Sequence, residues 1–202
     1  MRRARLYGIA LLLAGGASLA GCGSQPAASG PGPTAGQHAK GHITPLPTPS
    51  GKSSHQLIYG GQAYEGSANL AKYEKTAKAQ PKSAQAQIQA GISAYVNGKF
   101  SAAIAYYKQA IADDPKNGLP YNNIGNIYYR GMGDPKAAVP YYQKTTQVDP
   151  TYVYGWWNLA LSESSLGNTA AAKQAVRQGL VHVPKTDPYY KYLKGALAPP
   201  AK

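Results

Sequence analysis

From Ala84 to Thr186 the chain sets apolar residues at helical spacing against polar ones, and the same layout returns three times. Pro115, Pro150 and Pro184 each close such a run and stand 35 and 34 residues apart. A period in that range marks an array of helical repeats. Laid over one another, the segments beginning at Ala84, Gly118 and Val153 agree except for one extra residue in the second, in the Gly131-Met132-Gly133 turn. In that register the eighth place is always small, as Gly91, Gly125 and Ala160, and each second helix carries an early alanine, Ala103, Ala138 or Ala172. Small residues there let the two helices of a hairpin approach, whereas a large side chain forces them apart. Large residues fill the matching core places: Tyr121 and Trp156, Ile124 and Leu159, Tyr107 and Tyr142.

A repeat cannot bury its own apolar face, so the flanks must supply neighbours. Over residues 63–80, Leu70, Tyr73 and Ala77 share one helical face and Lys72, Lys75 and Lys78 the other, with Pro81 ending the run. This predicts the second helix of a decayed repeat. After the array, Asp187 as an N-cap and Pro188 in a first turn lead into Tyr189-Tyr190-Lys191-Tyr192-Leu193-Lys194, which predicts a capping helix. Pro140 falls inside a second helix, where it removes a backbone hydrogen bond, so that helix is expected to bend or start late.

The register resembles the tetratricopeptide repeat family. The first copy carries the resemblance at Gly91, Ala103, Tyr107, Ala110 and Pro115, the second at Tyr121, Gly125, Tyr128, Ala138, Tyr142 and Pro150, and the third at Trp156, Leu159, Ala172 and Pro184. It covers residues 84–186 and implies an all-α fold, an α-solenoid of about three helix-turn-helix repeats at 84–117, 118–152 and 153–186. A flanking helix within 62–83 precedes them, and a capping helix and tail at 187–202 follow. The sequence departs from the family pattern at Gln87 and Ala94 in the first copy and Glu163 in the third, where aromatics are expected. Thr145 and Gly179 replace a helix-packing alanine.

The resemblance also implies a concave groove, lined by the first helices, that takes an extended peptide or a helix. Carried over by position, Gln85, Ile88, Ile92 and Tyr95 line it in the first copy, followed by Asn122, Asn126, Tyr129, Arg130, Tyr154, Trp157, Asn158 and Leu161. Family members that grip a terminal carboxylate use lysine, asparagine and arginine on these faces. Ile88, Ile92 and Tyr154 stand where such a clamp wants polar or cationic groups, which favours an apolar ligand with some amide hydrogen bonds to its backbone. One helical step of ~100° separates Trp156 from Trp157. Trp156 is expected inside its hairpin with Leu159 and Ala160, and Trp157 on the open groove with Tyr154 and Leu161.

The N-terminus adds a location. Arg2, Arg3 and Arg5 precede an uncharged apolar stretch from Leu6 to about Ala20, a signal-peptide layout. Gly8, Gly15 and Gly16 break the stretch, and it is shorter than the ~20 residues of a spanning helix. It ends in Leu19-Ala20-Gly21-Cys22, which resembles the bacterial lipobox. That resemblance implies cleavage after residue 21, acylation of Cys22 and a protein held on the extracytoplasmic face of a bacterial membrane. The alternative is an unmodified thiol beside an ordinary cleavage site. Cys22 is the one cysteine, so an exported chain would otherwise carry a free reactive thiol. Two or more acyl chains meet the requirement that a single chain anchors only marginally. Residues 22–61 are rich in Gly, Pro, Ser, Ala and Thr and cannot bury enough surface to fold. As a flexible coil this linker spans roughly 30 to 37 Å. His38, His42 and His55 lie in it, and outside a helix a His-x-x-x-His spacing fixes no metal geometry.

Charge and chemistry narrow the function. The net charge of +13 falls to about +10 without Arg2, Arg3 and Arg5, a field that favours anionic partners. Export separates the chain from most nucleic acid, leaving lipid headgroups, wall polymer or an acidic protein as candidates for an anionic surface, with Lys72, Lys75 and Lys78 the cations at stake. Of the eight acids, Asp114 and Asp149 precede repeat prolines, and Asp134 and Asp187 precede prolines that can start helices. No two are placed to face one substrate. His182 is the one histidine beyond the linker, and Gly131-Met132-Gly133 has neither the preceding strand nor the Lys-Ser pair of a phosphate loop. A non-enzymatic scaffold follows, without cofactor or metal, that binds a protein or peptide in its groove and the membrane through its lipid. The alternative is a basic binder of anionic polymer or membrane surface.

Overall fold

A computed structural model describes residues 62–196. Cys22, the signal segment, the linker and the extreme C-terminus lie outside the described residues. The fold is an all-α solenoid, and no strand occurs among the described residues. Its helices are α1 (Ser67–Ala79), α2 (Ala84–Val96), α3 (Phe100–Asp113), α4 (Gly118–Asn126), α5 (Pro135–Val148), α6 (Val153–Ser165), α7 (Thr169–His182) and α8 (Tyr190–Gly195). A π-helical turn, Ile127–Gly131, prolongs α4. Three hairpins result: α2 with α3, α4 and its π turn with α5, and α6 with α7.

Local chemistry places the helix starts. Ser83 Oγ accepts from Ala86 N at 3.2 Å, Asn117 Oδ1 from Leu119 N at 3.0 Å and Asp134 Oδ1 from Ala137 N at 2.9 Å, each satisfying an N–H that has no intrahelical partner. The turn inside every hairpin holds a glycine in the left-handed region, Gly98, Gly133 or Gly167, with φ of 72, 68 and 79°. Side chains with a Cβ are strained there.

The hairpins close by matching sizes. A Cβ built on Gly91 would lie 2.5 Å from Cε1 of Tyr107, and one on Gly125 the same distance from Cε1 of Tyr142. In the third hairpin the large partner is the smaller Val176, and alanine is tolerated at residue 160; both side chains are fully buried. The departures from the family pattern obey the same rule. Thr145 is bulkier than alanine, and Gly155 makes room, since a Cβ there would come within 2.7 Å of Thr145 Cγ2. Gly179 is smaller, and the Trp156 and Leu193 side chains move into the space. Gln87 donates from Nε2 to the carbonyl of Ala77 at 3.1 Å and so ties α2 to the end of α1.

Three expectations are refined by the structure. The extra residue of the second repeat, assigned to the Gly131-Met132-Gly133 turn, lies where the π turn Ile127–Gly131 runs into it. It is taken up in the π turn, where Met132 N donates to the Ile127 carbonyl at 2.9 Å and Asp134 N to that of Tyr128 at 2.8 Å. Pro140 does not delay its helix, because α5 begins at Pro135 directly behind the Asp134 cap. The C-terminal helix is also shorter than the sequence suggests: Asp187 Oδ1 accepts from Tyr189 N at 2.7 Å in a turn, and α8 starts only at Tyr190.

First and second helices differ sharply in burial. Eleven of the thirteen residues of α6 are buried, against four of the fourteen in α7; α2 and α4 resemble α6, and α3 and α5 resemble α7. The first helices are therefore inner elements, packed on several sides, and the second helices are outer ones.

Candidate functional site

Inner position decides which of the twelve groove residues a partner can reach. Ile88, Ile92, Asn122, Asn126, Tyr154, Trp157 and Asn158 are buried. Gln85 is exposed, and Tyr95, Tyr129, Arg130 and Leu161 are half-buried. The expectation that Trp157 lies open is corrected: it is 3 % exposed, less than the 9 % of Trp156. Both tryptophans belong to the core of the third hairpin. Trp156 stacks on His182, with ring centroids 5.8 Å apart, and donates from Nε1 to the Pro150 carbonyl at 2.8 Å.

The buried amides serve each other. Asn158 Nδ2 donates to Asn122 Oδ1 at 2.9 Å and to Asn126 Oδ1 at 3.3 Å, while the Tyr142 hydroxyl donates to the same Asn126 oxygen at 2.9 Å. This chain of bonds crosses α5, α4 and α6, all of it shielded from water. Inside a protein such bonds are stronger than in water, and an unmet partner costs correspondingly more. These bonds tie Asn122 and Asn126 of α4 to Asn158 of α6 and, through Tyr142, to α5.

Apart from Gln85 at the start of α2, what remains reachable gathers at the carboxyl ends of the inner helices. Tyr95 ends α2 and its ring lies 5.8 Å from that of Phe100. A Cβ on Gly131 would touch the Phe100 ring at 3.0 Å, so the π turn rests on the start of α3. On the other side, the Tyr129 hydroxyl and Ser165 Oγ are 2.8 Å apart, which joins the π turn to the end of α6 beside Leu161. Tyr128, next in the turn, stacks on Tyr141 of α5 with centroids 5.4 Å apart. The patch is aromatic and hydroxylated, with Arg130 its one cation. Phe100 and Ser165 were not among the residues the sequence pointed to, and Gly131 was read only as part of a turn. The period-breaking residue in the second repeat was the signal that could have found them.

At the amino end of α6 a cavity of about 300 Å³ opens between Thr151–Tyr154 and the Pro184–Tyr189 segment. Tyr154 packs there on Tyr152 and Tyr189, at 5.7 and 5.2 Å between centroids. Burial above all pushes the Tyr107, Tyr152 and Tyr154 hydroxyls well above the ordinary tyrosine pKa; a neighbouring carboxylate, Asp149 for Tyr152, adds to the effect. These groups stay neutral and do no acid-base work near neutrality. Among the described residues no helix is long and apolar enough to cross a membrane.

Residues 91–131 match the family described as TPR repeat, and residues 120–152 the one described as tetratricopeptide repeat. The chain carries tetratricopeptide repeats. Such repeats act in protein–protein interaction. A 92-residue stretch is 30 % identical to the heat shock protein sti1 homolog of Schizosaccharomyces pombe, covering 46 % of this chain and 15 % of that protein. The chain therefore spans a small part of that relative's length. The crystal structure of MamA protein superposes with a TM-score of 0.52 at 22 % identity, over 65 % of this chain and 68 % of that one, and shares the fold. The second TPR of Spaghetti (RPAP3), bound to the HSP90 peptide SRMEEVD, is similar at 24 % identity and a TM-score of 0.45, over 51 % of this chain and 95 % of that one.

Proposed function

We propose that this chain is a membrane-anchored, extracytoplasmic repeat scaffold or assembly factor that holds a protein partner at the carboxyl ends of its inner helices. The observation that carries the reading is the reachable patch of Tyr95, Tyr129, Arg130, Leu161 and Ser165, built around a π turn. At the end of α4 the π turn re-aims Tyr129 and Arg130 relative to the preceding helix. With one cation among aromatic and hydroxyl groups, the patch suits a partner segment with apolar side chains and free backbone groups. The complete lipobox and the linker that follows it support the anchoring half of the proposal.

Site-specific photocrosslinking in intact cells tests it. A photoreactive residue at Leu161, in the full chain, should give a discrete crosslinked product that disappears with Tyr129→Ala or Arg130→Ala. The same residue at exposed Lys144 should give none. Equal products from both positions, or products indifferent to Tyr129 and Arg130, would show that partners are not held here. Intact mass of the detergent-extracted protein decides the anchor: an uncleaved chain without an acyl increment overturns it.

A further inference from the structure

Positive charge is divided unevenly between the two kinds of helix. The inner helices and the π turn carry only Arg130 and the buried Glu163, whereas every lysine and arginine of α1, α3, α5 and α7 is exposed. The two acids on these outer helices, Glu74 and Asp113, are half-buried, and Asp113 is engaged by Gln109 Nε2 at 3.2 Å. The cations also recur near one place. Each outer helix of a hairpin pairs an exposed cation with an exposed glutamine in the two residues after Tyr107, Tyr142 or Val176, as Lys108-Gln109, Gln143-Lys144 and Arg177-Gln178, and α5 and α7 add the exposed Lys136 and Lys173. In α1, whose place in the array is that of an outer helix, Lys75 continues the series.

We infer that this outer face docks on an anionic phospholipid surface. Charge complementarity sets the sign of the partner, because the fully exposed charges on these helices are all cationic. The spread of the cations sets its shape: with at least one on every outer helix, they occupy the breadth of the array and not a cleft, and the cavity described above lies away from them, at the amino end of α6. A broad array of long, flexible cations suits a plane of headgroups, into which each lysine can extend while its methylene stem lies along apolar surface. Val181, 74 % exposed near the end of the outermost helix α7, adds an apolar contact at the edge of the same array. The inference stands apart from the inner-helix patch, and either can fail without the other.

The full chain with Cys22→Ser, which cannot be acylated, is sedimented with vesicles of phosphatidylcholine alone or with a third of phosphatidylserine. Neutral vesicles measure whatever the apolar N-terminal segment binds by itself. Anionic vesicles should bind more tightly, and that excess should vanish in 0.5 M salt. Replacing Lys75, Lys108, Lys144 and Arg177 by glutamine should reduce the excess by about fivefold per cation, on the order of a hundredfold or more in all. Replacing Lys99, Lys116, Lys185 and Lys194 removes the same net charge from exposed sites off this face and should cost less than about tenfold. Equal losses in the two variants, or no preference for anionic vesicles, overturn the inference. So does binding to long-chain polyphosphate without binding to vesicles, which would make the ligand a polymer. If the first variant melts lower by circular dichroism, the salt dependence and lipid preference of the parent chain decide.

Discussion

Gly125→Ala puts one methyl group where the structure has no room. The new Cβ would lie 2.5, 2.8 and 2.9 Å from three atoms of the Tyr142 ring. That ring is 1 % exposed, and its hydroxyl is held by Asn126 Oδ1 at 2.9 Å, so it cannot withdraw without breaking the bond that links α5 to the buried asparagines. Forcing a methyl into a packed interior costs about 1–3 kcal/mol, and loosening a buried hydrogen bond about 1 kcal/mol more. Alanine in mid-helix returns ~0.5–1 kcal/mol relative to glycine. The net loss is about 2 kcal/mol, a large share of the ~5–15 kcal/mol that holds a domain of this size. Urea unfolding followed by circular dichroism measures it as a lower midpoint at unchanged slope. The decisive arm is the same substitution in a Tyr142→Leu background, where the ring is gone. There the alanine should be neutral or stabilising by up to ~1 kcal/mol. If Gly125→Ala costs the same with leucine at 142, or nothing at all in the parent, close approach of the glycine and the ring is not what sets the hairpin's geometry.

Trp157→Ala should cost roughly 3–5 kcal/mol through the cavity it leaves, and single-tryptophan proteins keeping either Trp156 or Trp157 should both emit blue and resist quenching; a red, readily quenched Trp157 would contradict its burial. Burial raises the Tyr107 and Tyr152 hydroxyls above their ordinary pKa of 10.0, so the unfolded chain loses protons that the folded one keeps. Stability should be fully present below pH ~10 and fall as pH rises above it toward the folded values; unfolding at pH ~9 and ~11 in the parent and in Tyr152→Phe checks this, the variant losing less between the two.

The repeat period was legible because sterics write it directly. Gly91 and Gly125 face tyrosine rings, and Pro115, Pro150 and Pro184 follow helix ends, so residue size and backbone restriction alone carry the register. The reach of the groove residues was not legible. Position within a repeat tells which way Trp157 or Asn122 points from its own helix, but not how closely the neighbouring hairpin approaches. That distance depends on exchanges such as Thr145 against Gly155, and on asparagines whose partners lie 32 and 36 residues away. Amides on a first helix read equally well as ligand contacts or as structural ones. In the structure Asn158 is bonded to Asn122 and Asn126, which ties α6 to α4. The patch at the helix ends was hidden for a different reason, since a π turn has no compositional mark beyond one surplus residue.

That surplus residue bears on how such a protein changes over generations. Because the π turn absorbs it before Gly133, everything from Pro135 onward stays in phase with the sister hairpins. A single codon gained or lost here therefore rotates the side chains that follow within the turn by ~100°, changing what Tyr129 and Arg130 present. It leaves the downstream packing of Tyr142, Thr145 and Trp156 as it was.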